Sequence, residues 1–103
     1  MSSEDLHIPR EALSTQARLL HYAIASLREE LDAVDWYRQR ADDVEDGEFR
    51  EILLHNMREE MEHACMLIEW MRRRSPDFER HLRTYLFTTA PITVVEEAAE
   101  KRD

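Results

Sequence analysis

The scarcity of helix-breaking residues constrains the fold of this chain more than any other feature of its sequence. Among 103 residues there is one glycine, Gly47, and only three prolines. Leucine, alanine, methionine, glutamate and arginine, which all favour helix, fill the long stretches between these breakers. We therefore predict an all-α protein whose main elements are long helices.

Two long helices are predicted, joined by a short acidic turn at residues 42–47. The first begins after a cap at Ser14 and runs to about Ala41, and the second runs from about Glu48 to Arg74. Apolar residues of the first helix recur at alternating spacings of four and three, and they are Leu20, Ile24, Leu27, Leu31 and Val34. This heptad-like spacing is typical of a helix that packs against another helix.

The second helix is expected to end at Ser75-Pro76, because the residue before a proline disfavours helical geometry. A shorter helix is predicted over residues 77–87. After Pro91 we expect a last charged turn, capped by Thr93, over residues 96–101.

Three segments follow from these predictions. Residues 1–13 form a flexible N-terminal arm, residues 14–90 a helical domain, and residues 91–103 a C-terminal segment. The two long helices form an antiparallel hairpin, with a short C-terminal helix after it. A hairpin alone cannot bury both of its apolar stripes, so we expect two hairpins to form a four-helix bundle by dimerisation.

Charge and composition limit the classes of partner and compartment. The chain has 14 basic and 23 acidic residues and a net charge of −9, which disfavours nucleic acid and anionic lipid as partners. No apolar stretch approaches the length needed to cross a bilayer, and the N-terminus lacks the pattern of a signal peptide. Cys65 is the single cysteine, so no intramolecular disulfide can form, and a cytoplasmic location is expected.

The second helix carries the most informative pattern, a carboxylate in the middle of a wide apolar arc. On a helical wheel Glu60 lies among apolar residues that include Leu53, Ala64 and Met71. We therefore expect Glu60 to be substantially buried, and a buried carboxylate needs a partner. His63 follows three residues later on the same face, and a carboxylate with an imidazole suits iron, manganese or zinc.

The first helix offers one more carboxylate, Glu30, at the border of its apolar seam. A di-metal four-helix bundle needs one glutamate from each of two helices and a Glu-x-x-His pair from each of the other two. Glu30, Glu60 and His63 supply half of this set. The spacing therefore predicts a metal site that is complete only in a two-fold dimer.

Other interpretations of these residues stay open on sequence alone. Glu60 could form a buried pair with an arginine that fixes helix register in a non-catalytic dimeric interaction module. The metal could instead be a structural clamp at the dimer interface, such as zinc. On a second face of the first helix, Glu29 and Asp32 could hold a loosely bound metal beside Trp36, or could simply be solvated while Trp36 lies in a subunit contact.

Three stretches closely resemble the encapsulated ferritins, which are ferritin-like proteins associated with encapsulin nanocompartments. They are Glu29–Arg40 (EELDAVDWYRQR), Leu54–Arg73 (LHNMREEMEHACMLIEWMRR) and His81–Thr93 (HLRTYLFTTAPIT). The resemblance rests on long, distinctive strings, and it covers most of the chain between about residues 20 and 93.

This resemblance implies a ferroxidase that oxidises Fe(II) with oxygen, with two irons at each dimer interface. The implied ligands are Glu30, Glu60 and His63, with Tyr37 close to them. It also implies an outer metal site at Glu29 and Asp32, with Trp36 beside the path by which metal enters, and calcium or zinc as further occupants in vitro. It further implies assembly of dimers into a ring-shaped decamer, which supplies iron for storage inside an encapsulin shell.

Overall fold

The computed structural model describes residues 6–102, and the regular secondary structure within that range consists of helices only. A 3-10 turn at Arg10–Ala12 precedes four α-helices. These helices are α1 (Thr15–Asp43), α2 (Gly47–Arg74), α3 (Pro76–Tyr85) and α4 (Ile92–Arg102). No strand occurs among the described residues, so the prediction of an all-α protein is confirmed.

The first two helices begin and end within two residues of the predicted bounds. The Ser14 side chain accepts a hydrogen bond of 3.0 Å from the Ala17 backbone N–H, as an N-terminal cap does. The Asp46 carboxylate accepts one of 2.9 Å from the Phe49 backbone N–H, which caps α2 in the same way. The acidic run therefore forms the turn because one of its aspartates starts the next helix.

The turn between α1 and α2 is closed by an arginine. The Arg50 guanidinium donates a 2.9 Å hydrogen bond from Nε to the Ala41 carbonyl and a second bond from an Nη to the Val44 carbonyl. The last carbonyls of a helix lack partners within the helix, so Arg50 satisfies groups that would otherwise need water.

The chain divides into two compact units, Met1–Ile68 and Glu69–Asp103. In the first unit, Arg50 near the start of α2 contacts Ala41 near the end of α1, whereas His63, further along α2, contacts Glu30 in the middle of α1. Because a residue later in α2 contacts a residue earlier in α1, the two helices run antiparallel. The predicted two-helix hairpin is therefore present.

The hairpin buries little apolar side chain on its own. The buried residues of the first unit are Ala23, Ala41, Leu53, Met57 and Ala64, of which three are alanines. Larger apolar side chains of the same unit stay exposed, and they include Leu19, Leu31, Ile52 and Met61. A hairpin of this kind leaves apolar surface that a partner can cover.

The second unit contains α3 and α4, which pack against each other. Ser75 caps α3 by accepting a hydrogen bond from the Phe78 N–H, and Pro76 occupies the first turn, where a missing N–H costs nothing. The helix ends two residues before the predicted bound, and the fully exposed Phe87 adopts a left-handed φ of 63°.

The prediction for the C-terminus was wrong in one respect. Thr93 does not cap a short turn, because α4 already begins at Ile92 and continues to Arg102. The Pro91 carbonyl accepts hydrogen bonds from the N–H groups of Val94 and Val95, so the proline starts this helix.

The predicted flexible arm, residues 1–13, lies partly outside the described residues, since the structure describes it only from Leu6 onward. Arg10 donates a 3.3 Å hydrogen bond to the Tyr22 hydroxyl, and Arg18 donates one of 3.2 Å to the Arg10 carbonyl. These two bonds hold the described part of the arm on α1. No helix within residues 6–102 is both long enough and apolar enough to cross a membrane.

Candidate metal centre

Three predicted ligands come together in the hairpin. Glu30 projects from the middle of α1, and Glu60 and His63 project from α2 one turn apart. One ligand atom from each lies within 4.8 Å of the others. Among residues 6–102 this is the only group of three or more acidic, histidine or cysteine side chains with such a spacing.

The distances within this cluster suit a shared cation better than direct hydrogen bonds. The Nδ1 atom of His63 lies 3.6 Å from Oε2 of Glu30 and 3.7 Å from Oε2 of Glu60. Both separations exceed the range of a hydrogen bond. Neighbouring ligands of a divalent first-row metal, each about 2.1 Å from the ion, lie roughly 3 to 3.5 Å apart. The cluster is therefore nearly the size that such an ion needs.

One carboxylate oxygen in the cluster has no partner. The Oε2 atom of Glu30 is buried and accepts no hydrogen bond. Burying an unsatisfied polar atom is costly, and more costly when the group carries charge. In the described part of the chain, neither Glu30 nor Glu60 pairs with a lysine or arginine, and the nitrogen near each of them, Nδ1 of His63, lies beyond hydrogen-bond distance. A bound cation would remove this cost.

The predicted substantial burial of Glu60 is only partly reached in a single chain. The side chains of Glu30 and Glu60 are each 24% exposed, and that of His63 is 46% exposed. The cluster lies on one flank of the hairpin instead of at its centre, so it is open to solvent on one side. This openness leaves room for further ligands.

The other predicted site residues lie on α1 outside the cluster. Tyr37 is half-buried two turns after Glu30 on the same face, and the Arg40 guanidinium lies 5.6 Å from the centre of its ring. Sequence reasoning missed this cation–π contact, although an arginine three residues after an aromatic is its ordinary signal.

The outer acidic pair, Glu29 and Asp32, is exposed, and so is Trp36. These residues share an outward face of α1 because they are three and four residues apart. The outer metal site stays a prediction.

Comparison with known proteins shows the family to which the chain belongs. The family model described as EncFtn-like matches residues 5–89, which is most of the chain. The chain belongs to the EncFtn-like family. The predicted resemblance to the encapsulated ferritins is thereby confirmed.

Two curated relatives and one solved structure resemble this EncFtn-like chain closely. An encapsulated ferritin-like protein from Rhodospirillum rubrum is 52% identical over 97 residues, which cover 94% of this chain and 69% of the relative. A ferritin-like protein from Thermotoga maritima is 48% identical over 95 residues, which cover 92% and 83%. The crystal structure of protein ne0167 from Nitrosomonas europaea is 52% identical, with a TM-score of 0.81 over 84% of this chain and 96% of that chain.

Proposed function

We propose that this EncFtn-like chain is a ferroxidase that binds Fe(II) as substrate and oxidises it with oxygen. The observation that carries the proposal is the buried, unpartnered Oε2 atom of Glu30, which faces the imidazole of His63 beside Glu60. A carboxylate oxygen that lacks a partner within the chain is suited to bind a cation. Two carboxylates and one imidazole are a donor set that iron accepts.

Two copies of the chain complete the proposed site. A single chain contributes three ligand residues, each with one ligand atom, on one open flank, which leaves half of the positions of a six-coordinate iron unfilled. A two-fold dimer doubles the set to four glutamates and two histidines, the number found in ferritin-like di-iron bundles. In that dimer the carboxylates can bridge two irons, and the histidines complete their coordination.

The ligand set also favours the direction of the reaction. Anionic carboxylates stabilise Fe(III) more than Fe(II), because the more highly charged ion is attracted more strongly. Each iron loses one electron, and two irons together reduce one oxygen molecule, which leaves as hydrogen peroxide after taking up two protons. Coordination positions that the protein residues do not fill would let oxygen approach the irons, and weak retention of Fe(III) would let the product leave.

The proposed ferroxidase activity also suggests roles for the residues around the cluster and for the partners of the protein. We infer that Glu29 and Asp32, both exposed, collect Fe(II) beside Trp36, and that Tyr37 lies close to the bound irons in the dimer. The Rhodospirillum rubrum relative is named as encapsulated. By analogy the present protein would act in the cytoplasm, as a ring of ten subunits inside an encapsulin shell that stores the ferric product.

Aerobic addition of Fe(II) to metal-free protein tests the proposal, with Glu60→Gln as the decisive variant. The substitution keeps the shape of the side chain but removes its charge, so oxygen uptake and ferric absorbance should fall by about 100-fold or more. Glu59→Gln is the matched control, because Glu59 is the adjacent exposed residue and pairs with His55 instead. This control should oxidise iron at the wild-type rate.

Three other outcomes would contradict the proposal in different ways. Oxidation that persists in Glu60→Gln would place the reaction elsewhere. Tight zinc binding without iron turnover would indicate a structural clamp at the dimer interface. Absence of metal binding in the wild-type protein would indicate a non-catalytic interaction module.

A further inference from the structure

The methionines of α2 differ widely in their exposure to solvent. Met71 is 4% exposed and Met57 is 8% exposed, so both fill space between packed side chains, as methionine often does. Met66 is 65% exposed and shares the outer side of α2 with Glu59 and Glu62, which are also exposed. Packing therefore does not explain Met66, and its thioether is accessible to small solutes.

Met66 lies next to the metal cluster on the surface of α2. It follows His63 by three residues, and side chains with this spacing are neighbours on a helix. A long helical side chain leans toward the N-terminus of its helix, so Met66 leans over the turn that carries His63. The imidazole is also the most exposed of the three ligands, at 46% against 24% for each glutamate. The thioether of Met66 is thus beside the side of the cluster that is open to solvent.

Met61 is the other exposed methionine of α2, and it faces away from the metal ligands. It directly follows Glu60, but a step of one residue turns a side chain about 100° around the helix. Its side chain also leans toward residues 57 and 58, away from His63. Met61 and Met66 therefore have the same chemistry and different positions relative to the cluster.

We propose that Met66 is a peroxide-consuming site, at which the thioether is oxidised to methionine sulfoxide by hydrogen peroxide released from the metal cluster. This inference rests on the proposed ferroxidase, because that reaction supplies the hydrogen peroxide. It assigns to Met66 a role that none of the metal ligands has, which is the removal of the product of oxygen reduction.

The oxidation of Met66 is a two-electron transfer of one oxygen atom. A lone pair of the sulfur attacks one oxygen of the peroxide, and the O–O bond breaks. The proton on the transferred oxygen passes to the departing hydroxide, which leaves as water. The sulfur is oxidised by two electrons and the peroxide is reduced by two, so the step needs no further reactant.

Removal of peroxide at this position protects the metal ligands. Fe(II) reduces hydrogen peroxide by one electron to hydroxide and the hydroxyl radical, which attacks side chains where it forms, and His63 is the most exposed of the ligands there. The reaction with Met66 forms no radical. Methionine sulfoxide can be reduced again by dedicated reductases, so the same residue can act repeatedly.

The first experiment compares two sources of peroxide in the full-length protein. Cys65 is replaced in Cys65→Ser, because its exposed thiol would also consume peroxide. One sample oxidises Fe(II) aerobically, and a metal-free sample receives the same total amount of hydrogen peroxide. Mass spectrometry of peptides then measures the sulfoxide at Met66 and at Met61.

The ratio of the two sulfoxides distinguishes peroxide from the cluster from peroxide in solution. With added peroxide the ratio should follow exposure, 65% for Met66 against 44% for Met61, which is about 1.5-fold. During iron oxidation Met66 should exceed Met61 by about fivefold or more, because the peroxide forms beside it. Catalase in the solution should protect Met61 but leave most of the oxidation of Met66.

The second experiment follows the lifetime of the protein during repeated additions of Fe(II). Met66→Leu removes the sulfur and keeps an apolar side chain, so the initial rate of iron oxidation should not change. The number of turnovers before inactivation should fall by about twofold or more, and oxidation of His63 should rise. Met61→Leu is the matched control and should last as long as the wild-type protein. Circular dichroism checks that both variants remain helical.

The possible failures are separate results. Absence of oxygen uptake would overturn the proposed ferroxidase and this inference with it. Normal iron oxidation with a sulfoxide ratio near 1.5 would overturn the role of Met66 alone. Loss of Met66 oxidation in the presence of catalase would do the same, and so would equal lifetimes of Met66→Leu and Met61→Leu.

Discussion

Two glutamates on α2, nine residues apart, are held in opposite ways. Glu69, in the second unit, accepts hydrogen bonds of 2.6 and 2.7 Å from Arg72 and one of 2.7 Å from Arg73. These arginines lower the pKa of the Glu69 carboxyl from its ordinary 4.5 to about 2. Arg72 also donates a 3.2 Å bond to Glu79, so the charges of this region are matched.

Glu60, in the first unit, has no such partner. Its nearest basic atom is Nδ1 of His63 at 3.7 Å, and the facing Oε2 of Glu30 is buried without a hydrogen bond. The difference follows from the residues one turn later on the helix, which are arginines after Glu69 but His63 and Ala64 after Glu60. The comparison teaches that arginines neutralise Glu69, which supports the fold, whereas Glu60 and Glu30, the carboxylates of the proposed metal site, have no arginine beside them.

The largest effect is expected when an arginine like those beside Glu69 is introduced into the metal cluster. In His63→Arg, a guanidinium can pair with the carboxylates of both Glu30 and Glu60. Calorimetric titration with Fe(II) under nitrogen should then show a loss of affinity of about 100-fold or more, because a ligand is lost and the site charge is neutralised.

His55→Arg is the control for this substitution. His55 also lies on α2 and faces a single exposed carboxylate, Glu59, at 3.7 Å. It should bind Fe(II) as the wild-type protein does, and both variants should remain helical. If His63→Arg kept its affinity for iron, the unneutralised carboxylates could not be the reason for binding.

Much of the fold was predictable from sequence because its signals are local. Ser14, Asp46 and Ser75 each cap a helix through a side-chain oxygen that lies three residues before its N–H donor, and Pro76 marks a boundary by its own geometry. The start of α4 was mispredicted because a threonine and a proline can both begin a helix. The left-handed φ of Phe87 has no local signal, since aromatic residues rarely adopt it.

The residues of the candidate site could be named from the sequence, but their burial and hydrogen bonding could not. The spacing of Glu60 and His63 and the seam position of Glu30 placed the three side chains on facing surfaces. The orphaned oxygen of Glu30 and the half-buried state of Glu60 depend on how closely the two helices approach, which spacing alone does not determine. An open groove of about 450 Å³ between α1 and α2 was also missed, because two of its lining residues, Asp35 and Arg38, resemble any exposed pair until the neighbouring helix is in place.

The hairpin turn extends the comparison to a third arginine site, because there an arginine donates hydrogen bonds to backbone carbonyls instead of to carboxylates. Arg50→Ala removes the hydrogen bonds to the Ala41 and Val44 carbonyls. The free energy of unfolding should fall by about 1 to 3 kcal/mol, as expected for lost bonds from a charged donor. Urea unfolding of metal-free protein at one fixed concentration measures it. The exposed Arg58→Ala is the control, and an equal loss there would remove the assigned role of Arg50.

The smallest expected effect concerns the pH dependence of the Glu69 cluster. The pKa of the Glu69 carboxyl is lower in the folded protein than the ordinary value of 4.5 expected in the unfolded chain. Ionised Glu69 therefore stabilises the fold fully above pH 4.5, and this contribution is lost as the pH falls toward about 2. The difference in unfolding free energy between wild type and Glu69→Gln should be constant from pH 7 to about pH 5 and should shrink below it. In an Arg72→Gln, Arg73→Gln background the pKa is no longer lowered, so the same difference should vary much less over this acid range. An equal slope in both backgrounds would show that the two arginines are not what holds Glu69 ionised, and the contrast with Glu60 would lose its physical basis.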